Sequence, residues 1–127
     1  MQSTIRFSYP RRGLDGDFAT FRLGARAAQS YPVDSVVELV DSRTMKLLKR
    51  AVVTSVDTGE LAAMARLYGH LAHNWKEHPS EERPELLIAS MKKRYKHYGP
   101  SRCSENSICS VICLKEIEDD NSQTNSR

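Results

Sequence analysis

The sequence predicts an α+β domain: a small, strongly bent sheet or β-barrel with two flanking helices. Three observations predict it. Apolar runs rich in β-branched residues recur at 3–9, 35–41, 45–56 and 108–114, the pattern of half-buried and buried strands. Before the last of these, apolar residues return at helical spacing, first from Leu61 to Trp75 and then from Leu87 onward. The chain has 127 residues, 39% hydrophobic and 28% charged, which is one domain able to bury a core without staples.

In order, Ile5, Phe7 and Tyr9 alternate with Thr4, Arg6 and Ser8, a strand that Pro10 ends. Residues 11–19 hold glycines and aspartates without periodicity and read as a loop delivering Thr20. The segment Thr20-Phe21-Arg22-Leu23-Gly24-Ala25-Arg26 also reads as loop, with a hydroxyl, two forked cations and a glycine where the backbone bends. It suits an anion or nucleotide, and equally a solvated loop. Tyr31 to Asp34 turns into the strand 35–41, with Val37 and Leu39 on one face. Asp41 to Thr44 turns the chain back into a strand over 45–56, or into a short helical turn at 46–50 first. Asp57 and Glu60 read as a capping box opening a helix with Leu61, Met64, Tyr68, Leu71 and Trp75 on one face. Pro84 opens a second helix, with Leu87 and Met91 inward and Lys92, Lys93, Arg94, Lys96 and His97 at its C-terminal end. The nearly continuous apolar run 108–114 is a strand buried on both faces. Residues 1–117 form the domain, and 118–127 a disordered polar tail.

Net charge is +3, too small to name a nucleic acid as partner by itself. Its distribution is more telling. In Lys92-Lys93-Arg94-Tyr95-Lys96-His97-Tyr98, cations alternate with aromatics that can stack on bases while the cations hold phosphates. A solvated, dipole-matched helix end gives the same pattern. No apolar run approaches the ~20 residues of a membrane span. The N-terminus lacks the apolar segment of a secretory signal, which points to the cytoplasm and away from a membrane partner. Cys109 and Cys113 read as core residues of the last strand, and Cys103 as a thiol in a loop, open to exposure. His70, His73 and His78 lack the spacing of a recognised metal motif, so neither metal nor cofactor is expected.

Thr20-Phe21-Arg22, the run Tyr31 to Leu39, the strand Ala51–Val56 leading into the Leu61 helix and the closing strand Ser107–Ile117 together resemble the ASCH family. The resemblance covers residues 3–117. It implies a small PUA-like β-barrel with flanking helices and a ligand cleft between them. It also implies RNA binding, and in some members hydrolysis of an acetylated nucleoside such as N4-acetylcytidine. The family signature resembles Gly-x-Lys-x-x-Thr-x-Arg, and Thr20 and Arg22 fill its last two fixed positions. Asp17 stands at its lysine position, where an aspartate supplies neither a cationic donor nor an amine base. The expected function is therefore a non-catalytic RNA- or nucleotide-binding module, with Thr20, Arg22, Arg26, Lys92, Lys93, Arg94 and Lys96 as binding residues. The alternatives are an amidohydrolase on an acetylated nucleoside and a small protein-interaction module.

Overall fold

The structure, a computed structural model, describes residues 3–7, 13–94 and 103–117. The expected polar tail 118–127, and Lys96 with its neighbours Tyr95, His97 and Tyr98, lie outside the described residues. Strands β1 (Ser3–Phe7), β2 (Asp17–Leu23), β3 (Val36–Asp41), β4 (Leu47–Glu60) and β5 (Ile108–Ile117) make one sheet in the order β1-β3-β4-β5-β2. Helices α1 (Arg26–Ser30), α2 (Leu61–Tyr68) and α3 (Arg83–Arg94) accompany it. β1 runs parallel to β3 and the other pairings are antiparallel.

The sheet is open, with β1 and β2 at its edges; it is not closed into a barrel. It is nevertheless strongly coiled. Register shifts at Leu39/Val40 and Val53/Ser55 insert bulges that bend β3 and β4. As a result all five strands contribute to one core, including Phe7, Phe18, Leu39, Val53 and Ile112. A second core lies on the other face. There Ala19, Phe21, Val111 and Cys113 meet Leu61 and Met64 of α2 and Leu87 and Met91 of α3. Alternation along β5 sends Val111 and Cys113 to the helices and Ile112 and Leu114 to the concave side, so the stretch 111–114 is apolar on both faces.

Several local expectations change. Thr20 and Arg22 belong to a strand, not to a loop. β2 pairs with β5 from Asp17↔Lys115 to Leu23↔Cys109, and Thr20 is only 3% exposed. The bend comes at Gly24, whose φ of +89° is a glycine conformation. α1, unforeseen in the sequence, follows at once. Asp57 and Glu60 do not form a capping box. β4 continues to Glu60, and α2 starts without a side-chain cap because Leu61 N–H donates to Ser107 O (2.8 Å). Asp57 instead accepts a 2.7 Å hydrogen bond from Tyr68, which pushes the phenol up to about 12. α2 stops after Tyr68, and Leu71 and Trp75 lie on tight helical turns beyond it. Gly69 marks the change, with Pro84 of α3 close enough to crowd any side chain there. Cys103 is buried in the helical-side core, and desolvation raises its thiol pKa.

The loop before β2 is tied down electrostatically. Glu116 accepts from Gly16 N–H (3.0 Å) and from Lys49 Nζ (3.1 Å), and the same ammonium reaches Asp15 (3.1 Å). The Gly16 bond and Lys49 hold the Glu116 carboxyl below its usual 4.5. A carboxyl that is more acidic folded than unfolded stabilises the fold above its unfolded pKa. That contribution disappears as pH falls through the lower, folded pKa. Urea titrations from pH 7 to pH 3 are therefore expected to show a shallower acid loss for Glu116→Gln than for wild type, from a lower starting stability.

Candidate functional site

β1 and β2 approach each other at the open seam of the sheet, and side chains bridge it. Arg22 Nη2 donates to Arg6 O across the seam (2.8 Å), and Arg22 Nε donates to Thr20 Oγ1 (3.2 Å). The guanidinium carbon lies 5.2 Å from the Phe7 ring centroid. Two residues apart on one strand, Thr20 and Arg22 share a face. His73 fills the seam beside them, its ring edge-on to Phe7 at 5.1 Å and to Phe18 at 6.4 Å.

His73 arrives on the turns after α2. Ala72 makes a single parallel bridge to Ala19, so this segment covers part of the free edge of β2. Arg83, at the start of α3, holds the segment from behind. Its guanidinium donates to the carbonyls of His78 (2.8 Å), Lys76 (3.0 Å) and His70. On the seam side, Lys76 Nζ donates to Asp15 O (2.5 Å) and lies 5.4 Å from the Phe18 ring centroid. Burial lowers the Lys76 pKa, with nearby Asp15 and Asp17 opposing that shift.

A cleft of about 80 Å³ opens where the seam, these turns and α3 meet. Pockets for drug-sized ligands run to about 300–1,000 Å³, so this one takes a phosphate or a base edge rather than a large molecule. Arg6, Arg22 and Arg94 line it, with Thr20, Phe7 and Trp75, and no carboxylate does so among the described residues. Three arginines lining one cleft suit an anion, and the aromatic rings offer planes for a base.

The sequence-predicted residues thus divide. Thr20, Arg22 and Arg94 meet in the cleft. Arg26, in α1, does not line it. Lys92 is turned to Glu105 (3.2 Å) and, like Lys93, is exposed on α3 outside the cleft lining. Arg6, His73, Asn74 and Trp75 are lining residues that the motif-based reading misses. Phe7 and Trp75 show in the sequence only as apolar periodicity, and nothing in it places His73 beside β1. Asp17 lines a different recess of about 380 Å³, with Tyr68, His70 and the exposed Leu67, which shares no lining residue with the cleft. That recess is the larger but gathers no cations. Among the described residues, no group of three or more His, Cys, Asp and Glu side chains is placed to hold a metal ion. Among them too, no helix is long and apolar enough to cross a membrane.

No family model matches the chain, and no curated protein matches it. Among solved structures it is similar to protein EF3133 from Enterococcus faecalis V583, which is assigned to the family model DUF984. The TM-score is 0.57 at 10% identity, covering 87% of this chain and 66% of that one. This chain therefore spans less than two thirds of that protein's length, and the likeness is one of fold.

Proposed function

We propose that the protein is a non-catalytic RNA- or nucleotide-binding module of the ASCH type, built on a PUA-like, nearly closed sheet. The observation that carries this is the convergence of Arg6, Arg22 and Arg94 on a cleft floored by Thr20 and flanked by Phe7 and Trp75. Arg22 holds the anionic group of the ligand in a fixed geometry. Thr20 orients Arg22 through its hydroxyl oxygen. Arg94 links the cleft to Lys92 and Lys93 of α3, which follow the phosphates of a longer strand. The cytoplasm is the compartment that fits such a ligand.

Binding to phosphates releases condensed counterions, so affinity falls as salt rises. Fluorescence anisotropy of short labelled single-stranded RNAs at several salt concentrations measures this. The expected result is a linear log–log loss of affinity for wild type. Lys92→Ala/Lys93→Ala/Arg94→Ala is expected to weaken all sequences alike and to flatten the slope by about one for each phosphate that is no longer neutralised. Equal binding by wild type and the triple variant would make the α3 terminus a solvated helix end. It would then favour a protein partner instead.

A further inference from the structure

We propose that the cleft takes the terminal phosphate monoester of an RNA end in preference to an internal phosphodiester. This rests on the nucleotide-binding reading above. The cleft, at about 80 Å³, has room for one phosphate group and not for a nucleoside beside it. The seam behind it is closed. Arg22 Nη2 donates to Arg6 O across it (2.8 Å), and the His73 ring stands against Phe7 (5.1 Å) and Phe18 (6.4 Å). A strand therefore has no path out on that side. An internal phosphate can enter only with a sugar on each side of it, whereas an end phosphate enters first, with its one sugar trailing toward the mouth.

The lining matches the free end of such a group. Arg6 of β1, Arg22 of β2 and Arg94 of α3 reach the cleft from three separate elements. Thr20 and Ser90 add hydroxyls that can donate. Thr20 is almost wholly buried and its Oγ1 accepts from Arg22 Nε (3.2 Å); a hydroxyl that accepts still has its own hydrogen to give. At pH 7 a phosphate monoester carries about −2 charge and three strong acceptor oxygens. A phosphodiester carries a single charge and two free oxygens. The additional charge and the additional oxygen both fall among the three cations, where charge-assisted hydrogen bonds are the strong ones. Lys92 and Lys93, exposed on α3 outside the cleft, meet only the internal phosphates, which an RNA carries whatever its ends.

The test is isothermal titration calorimetry of the wild-type protein with a short single-stranded RNA of one sequence made with a 5′-phosphate, with a 3′-phosphate, or with hydroxyls at both ends. At least one phosphorylated form is expected to bind about tenfold tighter than the hydroxyl form. Arg6→Ala/Arg94→Ala is expected to erase that advantage. Both side chains are exposed, and Ala at position 6 keeps the carbonyl that Arg22 bonds, so the seam survives the change. Lys92→Ala/Lys93→Ala is expected to weaken every form and to keep their ratio. Equal affinity of all forms for wild type overturns the inference and leaves the nucleotide-binding reading standing. An advantage that persists in Arg6→Ala/Arg94→Ala, or that vanishes in Lys92→Ala/Lys93→Ala, overturns it too, because the end charge is then felt elsewhere on the surface. Absence of binding by every form removes the nucleotide reading itself.

Discussion

Arg22→Ala is expected to lower RNA affinity by at least about tenfold and stability by about 1–3 kcal/mol. Both effects come from the same position. The side chain bonds Thr20 Oγ1 and Arg6 O and lies against Phe7, so it joins the two free edges of the sheet. Removing it unpairs a hydroxyl that is almost wholly buried and takes a cation out of the cleft. Arg22→Lys keeps the charge but not the fork, so it cannot bond both partners in one geometry. It is expected to recover the salt-dependent part of binding and little of the stability. Arg26→Ala is the control: α1 lies outside the cleft lining, and affinity changes little. Thermal melts and anisotropy on the same preparations separate the two effects, with binding measured well below the melting temperature.

Gly13→Ala is expected to destabilise the fold by about 2 kcal/mol or more, and to weaken binding although Gly13 lies outside the cleft. Its φ is +68°, where an L side chain is strained, and an added Cβ would stand 1.9 Å from His73 O. The clash is with backbone, so no rotamer change relieves it. Relief requires either the 13–17 loop or the His73–Trp75 segment to move. The first is tied to β4 and β5 through Gly16, Asp15, Lys49 and Glu116, and the second carries the cleft wall. Gly16→Ala is the comparison. It has a φ of +54° but open space around it, so only the conformational strain remains. A smaller loss for Gly16→Ala than for Gly13→Ala in denaturant titrations identifies the contact with His73 as the larger part.

The sequence made much of this architecture legible, and the exceptions have physical reasons. The strands at 3–7 and 36–41 carry their period openly, the last strand shows as a nearly continuous apolar run, and Pro84 marks the second helix. The strand over 17–23 hides because it is buried on both faces at once. Asp-Phe-Ala-Thr-Phe-Arg-Leu does not alternate between polar and apolar, and the glycines before it read as loop. Asp57 and Glu60 match a helix cap in type and spacing, yet pairing with β5 keeps the chain extended through Glu60. In that case a tertiary ladder overrides a local signal. α1 is five residues with none buried, too short to leave an amphipathic pattern. In the site, Thr20, Arg22 and Arg94 are legible as residue types that suit an anion. Their union with Arg6, Asn74 and Trp75 depends on how far the sheet coils, which no local pattern encodes.

Trp75 supplies the most direct test of the central claim. It is the one tryptophan of the chain and lines the cleft beside Arg22, so its emission reports on this site alone. Titration with a short unlabelled single-stranded RNA is expected to change Trp75 fluorescence in a saturable manner. The midpoint should match that from anisotropy, and under Arg22→Ala it should shift to at least about tenfold higher RNA concentration. RNA binding by anisotropy that leaves Trp75 emission unchanged, or a midpoint indifferent to Arg22, would contradict the account and place the binding surface elsewhere on the molecule.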